Sequence, residues 1–106
     1  MQKETQNKPL AYLVSEQDHF KRHPILSDPW RIGRRHNNEL TLGDPSVSRY
    51  HAKIQRDNDG NFFIVDMASL DGTYVNDEQV SLKKLQEGDI IKICDMSFRF
   101  TQHSED

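Results

Sequence analysis

Arg34, Ser48, Arg49 and His51 carry the side chains in this sequence best equipped for chemistry, and the first three are donors. An arginine presents a planar fork of N–H groups, a serine one hydroxyl proton, and loop amides add more. An anion with several oxygens, such as a phosphate, can use that whole set. The four residues lie in or beside three short motifs: Ile32-Gly33-Arg34, Asp44-Pro45-Ser46-Val47-Ser48-Arg49-Tyr50-His51-Ala52, and Ser69-Leu70-Asp71-Gly72-Thr73-Tyr74-Val75-Asn76. Each sets polar or cationic side chains beside Gly, Pro or Asp and next to an apolar run. That is the layout of loops on a rigid β scaffold, and the motifs make chemical sense only if they meet at one point.

The roles divide by residue type. Gly33-Arg34 is either an ordinary strand end with a solvated arginine, the commoner reading of the dipeptide alone, or a close backbone approach that turns Arg34 into the loops as a bidentate fork. Ser48 offers its hydroxyl to a ligand oxygen, while His51 turns back and fixes the loop. A nucleophile-and-base pair from Ser48 and His51 is not favoured, because no Gly-x-Ser-x-Gly elbow or glycine-rich oxyanion hole accompanies them. The chain is therefore not expected to be an enzyme. Asp71-Gly72 is turn chemistry, and the Thr73 and Asn76 side chains either latch neighbouring loops or meet a ligand backbone. Arg31, Arg34, Arg35 and His36 form the one cluster of positive charge in the middle of the chain. They lack the interleaved aromatics of a nucleic-acid surface but suffice for the field around a single phosphate. His19 and His23 stand four apart with no Cys or carboxylate to complete a tetrahedral set, so neither a metal nor another cofactor is expected.

The elements that must position these loops read as strands. Apolar runs alternate with turn signals at the spacing of an all-β sandwich or barrel. They place strands at 11–14, 24–26, 30–32, 39–42, 52–56, 62–65, 73–75, 89–94 and 97–101. Phe98 and Phe100 point one way and Ser97, Arg99 and Thr101 the other. Asp57-Asn58-Asp59-Gly60 is a hairpin turn, and Cys94-Asp95-Met96 closes a second hairpin. Residues 15–22 and 80–86 each have room for about two helical turns but lack the helical period, and neither is assigned a helix.

Composition sets outer limits. A length of 106 residues suits one domain, and 34% hydrophobic residues with a mean hydropathy of −0.87 imply a lean core. A net charge of −3 provides no global field toward nucleic acid or an anionic membrane, so anion binding must come from a local cluster. A single cysteine excludes an internal disulfide. The polar N-terminus lacks the apolar core of a signal peptide, and no apolar run approaches the ~20 residues of a membrane span. A cytoplasmic protein is expected, with polar tails at 1–9 and 103–106 flanking a folded unit at 10–102.

The three motifs, in this order and spacing, resemble the forkhead-associated (FHA) domain. The match runs through Ile32-Gly33-Arg34, Asn38-Glu39-Leu40-Thr41-Leu42, Asp44 to Ile54, and Asp66 to Asn76, and extends outward to the first and last strands. The resemblance implies a two-sheet, FHA/SMAD-like sandwich of about eleven strands with its ligand loops at one end. It implies a phosphothreonine-dependent binding module that recruits a partner phosphorylated by a Ser/Thr kinase. Carried over by position, Arg34 pairs with the phosphate, Ser48 bonds it, Arg49 contributes from its loop, and Leu70, Asp71 and Asn76 face the peptide. Gly33, His51 and Gly72 keep the loops in shape. This chain departs from the family pattern at Asp71, where asparagine is usual, at Leu70, where a small hydroxyl residue is frequent, and at Asp77, where glycine is usual. The departures at Asp71 and Leu70 motivate an alternative, a phospho-independent scaffold for protein assembly. Some free-standing members fold a phosphorylated N-terminal threonine onto their own site, and Thr5 is the residue placed for that here.

Overall fold

The computed structural model describes residues 8–104, which form eleven strands and, among those residues, no helix. In chain order these are β1 (Ala11–Ser15), β2 (Arg22–Ile25), β3 (Trp30–Gly33), β4 (Leu40–Thr41), β5 (Ala52–Arg56), β6 (Phe62–Asp66), β7 (Thr73–Val75), β8 (Glu78–Val80), β9 (Leu82–Lys84), β10 (Ile90–Ile93) and β11 (Met96–Thr101). One sheet has the order β2-β1-β11-β10-β7-β8 and the other β4-β3-β5-β6-β9. The all-β sandwich is as expected.

The period of two builds the core. Trp30 and Ile32 on β3, Ala52 and Ile54 on β5, and Phe62 and Ile64 on β6 are buried from one sheet. Leu13 on β1, Val75 on β7, Ile91 and Ile93 on β10, and Phe98 and Phe100 on β11 are buried from the other. Each alternates with a more exposed neighbour, the pattern of two sheets packed by their inner faces. Phe62 meets Phe100 across this layer at 5.3 Å between ring centroids. Thr101 departs from the alternation: it is buried, and its hydroxyl is satisfied by Glu87.

The turns are as local as the residues suggested. Asp57 closes the β5–β6 hairpin by accepting the amides of Asp59 and Asn61, each at 2.9 Å, with Gly60 at φ +84°. Cys94 takes φ +55° in the two-residue turn between β10 and β11. The two stretches without helical period resolve differently from each other. The Ser15 hydroxyl captures the amides of Gln17 and Asp18, which holds that connection as a turn. Residues 80–86 carry β9 and the end of β8, three-residue strands too short to show a period. No helix of the described residues is long and apolar enough to cross a membrane.

Candidate functional site

The site is assembled where the β3–β4, β4–β5 and β6–β7 connections converge. Gly33 ends β3 with no room for a side chain: a Cβ there would lie 2.2 Å from the Arg49 carbonyl oxygen. That close approach lets the Arg34 amide reach Ser48 O at 3.0 Å and the Arg35 amide reach Arg49 O at 3.3 Å, so the first loop is laced to the second. Asn38 completes the lacing. It is buried, and its Nδ2 donates to Arg35 O at 2.8 Å and to Arg49 O at 2.9 Å.

The second loop begins with a turn led by Pro45, closed by Val47 N to Asp44 O at 3.0 Å. Asp44 Oδ1 accepts the Ser46 hydroxyl and amide, bonds that hold its carboxyl below its ordinary value. Val47 is buried, which fixes its carbonyl, and that carbonyl accepts Arg34 Nε at 3.0 Å. Arg34 is thereby aimed through Nε, while its two terminal nitrogens have no partner among the described residues.

His51 is the pin between the second and third loops. It is fully buried, its Nδ1 accepts the Ser48 amide at 3.1 Å, and its Nε2 bonds the Gly72 carbonyl at 2.8 Å. A carbonyl can only accept and an amide can only donate, so the neighbours require the proton on Nε2. Neither ring nitrogen is left to act as a base toward the Ser48 hydroxyl. That hydroxyl instead accepts the Leu70 amide at 3.0 Å and retains its own proton for a ligand.

The third loop hangs on Asp66, at the end of β6. Asp66 Oδ1 accepts the Ser69 hydroxyl at 2.5 Å and the buried Thr73 hydroxyl at 2.7 Å, and Oδ2 accepts the Ser69 amide at 3.1 Å. Burial acts to raise the Asp66 carboxyl, but the bonds from Ser69 and Thr73 outweigh it and hold the group below its ordinary value. Gly72 bends the loop at φ +89°, where a Cβ would meet the Gln79 side chain at 2.7 Å.

Arg34, Ser48, Arg49 and Leu70 line one open cleft of about 370 Å³, together with Pro45, Ser46, Val47, Tyr50 and Met67. Asp71 lines a different cleft of about 510 Å³, which shares Ser46 and includes Tyr74, Asp77, Lys92, Cys94 and Asp95. Both polar ends of the Asn76 side chain are engaged within the fold. Its Nδ2 donates to Asp89 at 3.0 Å and its Oδ1 accepts the Ile90 amide at 2.9 Å, so Asn76 latches the β7–β8 turn to β10. Asp77 follows at φ +70°, the left-handed geometry an aspartate tolerates. Arg31 leaves the positive cluster, because Glu39 takes its guanidinium at 3.1 and 3.0 Å. His23 packs edge-on against Phe98, its ring centroid 5.8 Å away, and burial lowers its pKa. Thr5 lies outside the described residues.

A rigid sandwich presenting a cationic, hydroxyl-bearing cleft on laced loops defines a recognition module for an oxyanion-bearing ligand. The comparisons specify the class. The FHA domain model matches residues 30–94, and the chain belongs to the FHA family, whose domains bind phosphothreonine peptides. The transcriptional regulatory protein EmbR of Mycobacterium tuberculosis is 40% identical over 79 residues, covering 74% of this chain and 20% of EmbR. The oxoglutarate dehydrogenase inhibitor of Corynebacterium efficiens is 48% identical over 70 residues, 65% of this chain and 49% of the inhibitor. The solved structure of Mycobacterium tuberculosis EmbR with a low-affinity phosphopeptide matches at TM-score 0.85 and 35% identity, over 92% of this chain and 26% of EmbR. The chain thus spans from a fifth to about half of the length of these curated relatives.

Two organisers escaped the sequence reading. Asn38 and Asp66 stood inside the matching motifs without an assigned role. The Ser-x-x-x-Thr spacing after Asp66 is the one local signal that its carboxylate had hydroxyls to collect.

Proposed function

We propose that residues 10–102 act as a non-catalytic, phosphothreonine-dependent adaptor in the cytoplasm, recruiting a protein that a Ser/Thr kinase has modified. The observation that carries this reading is Arg34, fixed through Nε by the Val47 carbonyl; its terminal nitrogens, like the neighbouring Ser48 proton, have no partner among the described residues. A phosphothreonine brings about −1.5 to −2 charge and three acceptor oxygens. The Arg34 fork, the Ser48 hydroxyl and the Arg49 side chain, which has no partner among the described residues, supply charge-assisted bonds of roughly 1.5–3 kcal/mol each. Arg34 and Ser48 are read as direct phosphate ligands, with Arg49 and Leu70 facing the flanking peptide and Asp71 at the join with the acidic cleft.

Titration with one peptide in phosphothreonine, phosphoserine and unmodified forms tests the reading. Binding is expected for the phosphothreonine form, with Arg34→Ala weakening it by at least about a hundredfold (~2.7 kcal/mol). Equal binding of the unmodified peptide would sink it.

A second reading is favoured by Asp71, which places a carboxylate at the edge of the site, and by the exposed Leu70. In that reading the domain assembles proteins without phosphate, and partner capture survives both Arg34→Ala and Ser48→Ala. The unspent Arg34 fork argues against it.

A further inference from the structure

Phe20 is 97% exposed, more than any other large hydrophobic side chain among the described residues. A single exposed apolar residue needs no explanation, but this one stands on a fixed backbone beside an apolar groove. It sits in the β1–β2 connection, where its amide donates to Asp18 Oδ1 at 3.1 Å and the Lys21 amide donates to Asp18 O at 2.9 Å. Ser15 ties the turn together: its hydroxyl accepts the Gln17 and Asp18 amides, and its own amide donates to Lys21 O at 3.0 Å. The loop is thus ordered before any partner arrives, and the phenyl ring takes no cover from its own domain. Beside this loop a groove of about 310 Å³ opens between β4 of one sheet and β2 and β11 of the other. Leu40, Leu42, Met96 and Phe98 form its apolar wall, and His23 packs edge-on against Phe98 there. An apolar cavity of ~150 Å³ already admits a benzene ring. Asp18 and Lys21, which flank Phe20 in sequence, also line the groove.

We infer that this chain forms a twofold dimer in which Phe20 of each copy enters the groove of the other. The occupant is a second copy because ring and groove adjoin on one chain, so a single twofold axis makes both insertions at once. The charges agree with this. The axis exchanges Asp18 and Lys21, which sets each copy's ammonium against the other's carboxylate. Each buried phenylalanine removes roughly 150–250 Å² from water. Two insertions fall short of the ~1,000 Å² of a lasting interface, so the dimer is weak and depends on concentration. The groove shares no residue with the cleft of Arg34 and Ser48.

The test is sedimentation equilibrium of the full chain from about 10 μM to about 1 mM, with methyl NMR as a second readout. The mass should rise from 12.4 kDa toward twice that value, and the Met96 methyl resonance should shift with it. Phe20→Ser should weaken association at least about tenfold and leave the Met96 methyl at its dilute position. Its thermal midpoint and phosphopeptide affinity should match the parent's, because the Phe20 ring is already exposed. Met96→Lys places a charge in the groove and should weaken association to a similar extent. An equimolar mixture of the two variants should associate more tightly than either alone, since one ring and one groove still fit. A chain that stays monomeric at 1 mM overturns the inference. So does a dimer that survives Phe20→Ser, or a mixture no tighter than its components.

Discussion

The cleft holding Arg34 and the cleft holding Asp71 share Ser46 and differ in sign, size and construction. The first is lined by Arg34 and Arg49 in about 370 Å³; the second gathers Asp71, Asp77 and Asp95 around Lys92 in about 510 Å³. The larger space is the poorer place for an anion, because three carboxylates against one ammonium repel it. Cys94 registers that environment: burial and then the nearby Asp71 and Asp44 carboxylates outweigh its bond to Ser46 and push its thiol above its ordinary value. A chain of net charge −3 has thus made a local cationic site by sorting its charges across one short loop. Within a Debye length of roughly 8 Å the opposite fields of two adjoining clefts are not screened from each other. Ligand selection here should therefore depend on the boundary between them as well as on the phosphate donors.

The two sides are also held differently, which gives the largest expected effects. The cationic side depends on backbone lacing that only glycine permits. Gly33→Ala would drive a Cβ into the Arg49 carbonyl at 2.2 Å, and the backbone on either side cannot yield without breaking the Arg34 and Arg35 bonds. A loss of about 3 kcal/mol in urea unfolding is expected, at the upper end of overpacking costs. Phosphopeptide affinity should fall more than tenfold. A stable variant with unchanged affinity would show that the lacing does not position Arg34.

The third loop depends on one carboxylate instead. Asp66→Ala would leave the buried Thr73 hydroxyl and the Ser69 hydroxyl without their acceptor, at a cost of about 2 kcal/mol. Acid should reproduce part of this loss. The folded Asp66 carboxyl lies below its ordinary value, so its contribution is fully present above the unfolded value near pH 3.9 and fades as pH falls through the folded value. Chemical-denaturation midpoints measured downward from pH 5 should therefore fall less steeply in Asp66→Asn than in the parent. Parallel slopes would remove Asp66 as the acid-sensitive support of this loop.

This contrast explains how much could be read in advance. Gly33, Pro45, Gly72 and the Asp57 turn are legible because each constrains its own backbone, wherever the rest of the chain lies. The alternating core of β11 is legible because Phe98 and Phe100 alternate with Ser97 and Arg99, although buried Thr101 breaks the pattern at the strand's end. Asn38 acts on a carbonyl eleven positions away in another loop, so its role exists only once the loops have met, whereas Asp66 gathers the Ser69 and Thr73 hydroxyls within its own loop, where a carboxylate between apolar residues gives little sign of them. The β8 and β9 strands are three residues each, barely one period and a half, and lie on sheet edges where partial exposure blurs alternation. Asn76 carried two readings in the sequence, and only its bonds to Asp89 and Ile90 separate a latch from a ligand contact.

A smaller effect should appear at the boundary itself. Asp71 is exposed beside the shared Ser46, with Cys94 Sγ 3.7 Å from its Oδ2. Asp71→Asn removes one repulsive charge and restores amide donors without changing shape. Affinity for a phosphothreonine peptide should rise about two- to fivefold at low ionic strength, an advantage that narrows in 1 M salt as the Debye length shrinks to about 3 Å. Salt-independent improvement would assign the gain to the new donors, and weaker binding would mean that Asp71 holds the peptide through its carboxylate.

The smallest effect belongs to Arg31, and it marks how local the cationic cleft is. By sequence Arg31 is one of three arginines within five positions, as eligible for the anion as Arg34. On β3, however, its side chain is exposed and forked onto Glu39, whose carboxyl is held below its ordinary value first by that hydrogen bond. The Arg31 amide also donates to Glu39 Oε1 at 2.8 Å, so the carboxylate stays in place even without the guanidinium. Arg31→Ala should therefore leave phosphopeptide affinity within twofold and the thermal midpoint within about 2 °C, as for most exposed ion pairs. A tenfold loss of affinity would mean that the phosphate draws on the whole strand's charge. The contrast between the clefts would then lie in summed field, and the aimed geometry of Arg34 would be secondary.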